Sequence, residues 1–370
     1  MCLGKYIIKI KKDEYMKQFT KKQTNMCKGV AICIMLFHHL FFSQESWPLY
    51  YYKIQMGSTP LIGFIAKQGK ICVAIFVLLS AYGLTFSINR NIQKSIGAGQ
   101  SLIKSYFSFV ERHVLSLYKL YWPVFVPAMI IGLVSNISSP VNIYRSFGEC
   151  LRDFFGIAYI LDGETPFNGA WWYISFAITL YFVFPFLHKA MKKYPRLLLL
   201  FSFLIGLNPT AKVPILLEWK RYAFICCLGI YLAENNILNR LINWKSNRIR
   251  IILSGFICAI LFIVRCIKPF TFDGVFAIGI VVFSVAIFDS TKYLSIAFDL
   301  LGKYSGTMFL LHGLLYKNFI REFIYGFKYP ILIFSVLLLM TYLGSVAIQN
   351  LVQYIYGYTS IKKGVTKNAP

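Results

Sequence analysis

Four windows of this sequence run for 19 to 28 residues without a charged side chain: Ile71 to Asn89, Leu120 to Tyr144, Thr165 to Leu187 and Tyr329 to Tyr356. About 20 apolar residues in a helix cross the hydrocarbon core of a bilayer. In lipid, a helix also satisfies every backbone amide and carbonyl within itself. These windows restrict the chain to an all-α, polytopic integral membrane bundle. Composition agrees: 57% of the 370 residues are hydrophobic and 14% are charged. A soluble domain carries roughly 25% charged residues, so too few are present to clothe a water-facing surface.

Six further apolar segments are shorter or interrupted: Asn25 to Trp47, Leu197 to Ala211, Tyr222 to Ala233, Ile251 to Val264, Gly274 to Phe288 and Tyr304 to Tyr316. With flanking charges and aromatics to reach the interfaces, they raise the expected number of spans to about ten. Leu151 to Leu161 is too short and carries Arg152 and Asp153, so an interfacial or re-entrant segment is expected there.

Alternating ten spans from a cytoplasmic start places 25 Lys and Arg on the inside and 13 on the outside, with Lys119 at a helix end. Lys and Arg excess marks cytoplasmic loops, so the expected topology has both ends inside. The net charge of +25 is then a matter of sidedness and lipid headgroups, and calls for no nucleic acid. The chain divides into a basic cytoplasmic tail (1–24), one membrane domain (25–356) and a cytoplasmic C-terminal tail (357–370). The first span is expected to serve as its own signal anchor, because the preceding residues are polar and Lys-rich. The nine Cys are scattered without a CxxC pair, which argues against a structural metal site. The long outer connection, Asn136 to Ala170, reads either as a functional loop or as a solvated cap. Asn91 to Ser108 reads as a cytoplasmic, mobile loop.

Ionisable side chains inside spans are costly and mark candidate function. Lys28 and His39 stand eleven residues apart in the first span. At roughly 100° per residue they fall on one stripe, about 16 Å apart along the axis. That arrangement suits a long anionic ligand entering from the cytoplasm with its reactive end near His39. A hydrogen-bonded core histidine and an ordinary anchoring lysine fit the spacing too. His38 points about 100° away, so at most one of the pair is expected on that stripe.

Lys28-x10-His39 resembles the Arg/Lys-x10-His signature of the acyltransferase-3 family of bacterial membrane acyltransferases, and four further stretches match in order. Gly69-KICVAIFVLLSAYGLTFS resembles the second-helix motif, with Ser80 in place and Ala81 where Gly is usual. Arg112-HVLSLYKLYWP resembles the basic opening of the third helix. Trp171-WYISFAITLYFVFPFL, with Tyr181 and Pro185, and Tyr304-SGTMFLLHG, with His312, resemble two later helices. The usual pair of arginines three residues apart is replaced by His113 and Ser116, with Arg112 and Lys119 adjacent.

The resemblance implies transfer of an acyl group, typically acetyl, from acetyl-CoA to a hydroxyl of a surface or lipid-linked saccharide. No bound cofactor is implied; acyl-CoA is a co-substrate. Glycan-assembly proteins are conceivable partners, and a bacterial inner or plasma membrane is the implied location. Lys28, Arg112 and Lys119 then supply cations for the donor phosphates. His39 is the candidate base for the acceptor hydroxyl, or an acyl relay. His312 would orient His39, help bind the donor, or simply belong to the core. Ser80 reads as helix packing. Trp171, Trp172 and Tyr173 suit either an interfacial belt or sugar stacking. Arg265, Asp273, Asp289 and Asp299 read as boundary charges. A glycan or lipid transporter using the same polar residues, and a non-catalytic assembly protein, stand as alternatives.

Overall fold

The computed structural model describes residues 18–137 and 140–365. The rest of the two tails lies outside the described residues. Among the described residues, ten helices of 13 or more residues each carry all or most of one of the ten apolar segments. They are α1 (Lys21–Phe41), α2 (Ile71–Gly97), α3 (Leu102–Ser135), α4 (Trp172–Lys193) and α5 (Pro195–Leu207). The second half supplies α6 (Pro214–Glu234), α7 (Asn247–Ile267), α8 (Asp273–Ser290), α9 (Lys292–Gly313) and α10 (Pro330–Val365). Among the described residues, seven helical stretches are long and apolar enough to cross a membrane: those of α1, α2, α3, α4, α7, α8 and α10. α5 is short, while α6 carries Glu218, Lys220 and Arg221, and α9 carries Lys292, Asp299 and Lys303.

Local sequence sets the helix ends. α1 starts in a capping box, in which the Gln23 amide donates to Thr20 Oγ1 at 3.1 Å and the Thr20 amide donates to Gln23 Oε1 at 3.0 Å. Two orphan donors are satisfied reciprocally, so the helix begins before its apolar run does. α3 ends at Ser135, earlier than its uncharged window, because Asn136 adopts a left-handed conformation (φ 55°) that breaks the helix. The expected mobile loop after Asn91 is instead the end of α2, a tight turn at Ala98–Ser101, and the start of α3. Gly99 supplies the turn's positive φ (+64°). Asn91 Nδ2 then donates to the Ser105 carbonyl, and Arg112 Nη2 donates to Asn91 Oδ1, closing the hairpin.

The connection from Asn136 to Ala170 is built rather than plain. It contains short helices at Phe147–Phe154 and Ala158–Leu161. Side chains of α3 satisfy the carbonyls at the end of the first: Tyr121 OH donates to Asp153 O at 2.8 Å, Trp122 Nε1 to Phe154 O at 3.0 Å and Tyr118 OH to Phe155 O at 3.0 Å. A helix end needs such partners when it is buried. The Asp153 carboxylate is buried and accepts from Tyr144 OH at 2.7 Å.

At the centre, α1 packs most extensively against α9 and also against α2. Glycine makes this possible. A Cβ at Gly302 would overlap the Asn25 carbonyl oxygen, and one at Gly29 would overlap that of Phe298. Small residues let membrane helices approach backbone to backbone. The Ala81 methyl, where the motif usually has Gly, is accommodated by Gly229 of α6: a Cβ there would stand 2.8 Å from the Ala81 Cβ. α1 and α9 run in the same direction. Asn25 meets Asp299 near their starts, and His39 meets His312 near their ends.

Candidate active site

The ends of α1 and α9 open onto a cavity of about 590 Å³, within the range of roughly 300–1,000 Å³ that ligand sites occupy. Its walls come from α1, the short helix Leu61–Gln68, the start of α2, Ala170–Tyr173, the end of α7 with its following loop, and α9.

His38 and His39 both line it, although adjacent residues of a helix point about 100° apart. His38 Nδ1 donates to the Ala66 carbonyl at 2.7 Å and its ring stacks on Phe42. That bond fixes the tautomer and leaves Nε2 as the lone-pair nitrogen. His39 makes no hydrogen bond among the described residues. Its ring centroid lies 4.8 Å from that of His312 and 5.0 Å from that of His38. His312 is fully buried and donates from Nδ1 to the Phe309 carbonyl. Its Nε2 is buried with no partner, an acceptor held ready beside the His39 ring.

The position of His312 depends on a break in the helix ladder. Leu310 O accepts from the Trp171 indole Nε1 at 3.1 Å and from Asn168 Nδ2 at 3.4 Å. The Leu314 amide turns instead to Leu311 O, and the chain widens into a π-helix over Leu314–Phe319. Such π segments occur often at functional sites. Gly313 is required here, since a Cβ would overlap the Asn168 amide. Trp171 is therefore a buried clamp, 1% exposed, and not part of an interfacial belt. Its indole donates to a carbonyl at the break in the helix ladder. Asn168 was not singled out in the sequence.

Trp172 and Tyr173 line the cavity. Ser80 lies beside the Tyr173 side chain of the cavity wall. Tyr181 lies off the cavity, its ring 5.4 Å from that of His113. His113 holds its Nδ1 against the Phe109 carbonyl at 2.7 Å, and its Nε2 lies 3.3 Å from Ser87 Oγ.

Arg265 and Asp273 are not boundary charges. They form a two-point ion pair, at 2.8 and 3.2 Å, with Arg265 Nη1 also donating to Gln68 Oε1 at 2.8 Å. The two residues are 4% and 2% exposed, and Arg265 lines the cavity. A hairpin between α7 and α8 folds these span-end charges inward, where each supplies the other's partner. Lys28, Arg112 and Lys119 do not line this cavity. Lys28 stays on α1, toward its other end. Arg112 is exposed and bonded to Asn91. Lys119 lines a separate cavity of about 300 Å³ with Thr307 and Gln349.

The arrangement offers unprotonated imidazole nitrogens in a largely apolar chamber, with aromatic walls and a rim of cations. That set can take a proton from a hydroxyl and hold a polar substrate against it. Comparison with curated proteins and with solved structures returned no match. The acyltransferase-domain model of the acyltransferase-3 family matches residues 23–349, nearly the whole chain, and by that match the chain belongs to the acyltransferase-3 family.

Proposed function

We propose that this protein is a membrane O-acyltransferase that moves an acyl group, acetyl in our reading, from acyl-CoA to a saccharide hydroxyl. The acceptor is a cell-surface polysaccharide or a lipid-linked glycan. The observation that carries this reading is His39 on the wall of a ligand-sized cavity, with the buried His312 ring 4.8 Å from its own. His39 has both ring nitrogens uncommitted, and His312 presents a lone pair at Nε2 that only a donor such as His39 N–H would satisfy. The acceptor oxygen attacks the thioester carbonyl carbon while its proton passes to His39. The carbon–sulfur bond then breaks, and the CoA sulfur leaves with that proton. His39 taking the acyl group itself, then passing it on, is the relay form of the same assignment.

Lys28, Arg112 and Lys119 are assigned to the donor phosphates at the cytoplasmic face, which fits ten spans with both ends inside. In that orientation the cavity lies toward the outer face of an inner or plasma membrane. Purified protein in lipid nanodiscs, given labelled acetyl-CoA and membrane glycan extract, should release CoA and label the glycan by an alkali-labile ester. Glycan uptake across vesicles without any CoA release would replace this reading with a transporter.

A further inference from the structure

Phe270, in the loop between α7 and α8, has three cations around its ring. The Arg221 guanidinium lies 5.0 Å from the ring centroid, Lys70 Nζ 5.6 Å and the Arg265 guanidinium 5.9 Å. Two of these have carboxylate partners, Arg221 with Glu218 at 2.7 Å and Arg265 with Asp273 at 2.8 Å. Lys70, half-buried on the cavity wall, has no ion pair and no hydrogen bond among the described residues. Exposed Lys67 lines the same wall one helical turn earlier. Two carboxylates therefore face four cations, and the surplus positive charge looks into the cavity.

Phe270 itself is held in a left-handed backbone conformation, φ +73°, that a bulky aromatic residue rarely adopts. Strain of this kind persists where surrounding structure enforces it and clusters at ligand clamps. Here it holds the ring face against the cations. A partly buried ammonium with no directly paired carboxylate is costly near a membrane core, and a bound anion lowers that cost.

We propose that Lys70, supported by Lys67 and the Phe270 platform, is an anion subsite that makes this enzyme prefer an acidic acceptor. The group bound is a carboxylate or phosphate on the saccharide that presents its hydroxyl to His39. The inference rests on the acyl-transfer reading for the word acceptor; the anion subsite itself does not. Its place beside His39, at the opposite end of α1 from Lys28, assigns it to the acceptor and not to CoA.

The test uses full-length protein in detergent or nanodiscs with defined probes: methyl β-glucuronide, glucose 1-phosphate, neutral methyl β-glucoside and acetyl-CoA. Heat-stabilisation titrations give apparent Kd values without requiring turnover. Wild type should bind the two acidic sugars at least tenfold more tightly than the neutral one. Lys70→Gln should erase that difference, Lys70→Arg should restore most of it, and acetyl-CoA binding should stay within twofold throughout, which also reports a folded variant. Equal binding of acidic and neutral sugars by wild type overturns the proposal. So does a loss of acetyl-CoA affinity in Lys70→Gln, which would assign the lysine to a CoA phosphate. Protein that consumes acetyl-CoA but ignores acidic sugars sinks the subsite and keeps the transfer reading. Protein that binds them through Lys70 but never consumes acetyl-CoA does the reverse.

Discussion

The His39 and His312 rings lie 4.8 Å apart, centroid to centroid, on two helices that run in the same direction and touch at Gly29 and Gly302. Backbone contact at those glycines holds the two axes together, and the pair of imidazoles meets where the helices reach the cavity. A positioned general base contributes typically 10²–10⁴-fold to rate. His39→Ala is expected to reduce acyl transfer by at least about a hundredfold while leaving folded protein in the membrane. His312→Gln, which cannot hold the same lone pair in place, is expected to lower kcat about tenfold with KM for acetyl-CoA unchanged, and to shift the pH–rate profile. Transfer at the wild-type rate by His39→Ala would remove His39 from the chemistry.

Gly302→Ala is expected to weaken the bundle, because its methyl would collide with the Asn25 backbone, which has no rotamer with which to yield. Overpacking of this kind costs about 1–3 kcal/mol. Gly83→Ala supplies the control: the site is exposed and a Cβ there meets nothing within 4 Å. Thermal unfolding in detergent should show a clear loss for the first variant and none for the second. Equal melting curves would mean that α1 and α9 do not depend on this contact.

Trp171→Phe keeps the buried ring but deletes the donor to Leu310 O. Leaving a buried carbonyl poorly satisfied costs about 1–3 kcal/mol. With the clamp gone, the ladder at Leu310 is free to close as an ordinary α-turn and carry His312 away from His39. The expected outcome is a fall in kcat larger than the loss of stability alone would produce at the assay temperature. Unchanged kcat would show that His312 is placed by other contacts.

The segment between α3 and α4 should respond to pH through Asp153. Burial pushes its carboxyl up to about 6, against the opposing effect of the Tyr144 hydrogen bond. A folded-state value above the unfolded one means that the proton favours the folded form. Stability is therefore fullest below the unfolded value and falls as pH rises through about 6, by an amount on the order of 2–3 kcal/mol. Hydrogen exchange over residues 147–161 should be slower at pH 5 than at pH 7.5 in wild type, after correction for intrinsic rates. Asp153→Asn, neutral at both values, should flatten the difference. A wild-type segment equally protected at both values would contradict the assignment.

Much of this architecture is legible in the residues alone. Uncharged windows place the apolar helices because lipid cannot satisfy a backbone that a helix does not. The Lys28–His39 interval places both side chains on one stripe of α1 because helical periodicity is local. The order of motifs picks out the family for the same reason: each motif is a short stretch whose spacing survives unfolding. The partners of His39 are a different matter. His312 lies 273 positions away, and only the glycine contact between α1 and α9 brings it within reach. Arg265 and Asp273 look like boundary charges until the α7–α8 hairpin folds them inward against Gln68. Lys70 was not singled out in the sequence; Phe270, Arg221 and Arg265 gather beside it only in the fold. Sequence determined which segments are apolar helices and which residues are candidates for chemistry, since those depend on composition and short-range spacing. Tertiary structure decided which of them share a cavity and which charge is left without a partner, because both depend on contacts between helices distant in the chain.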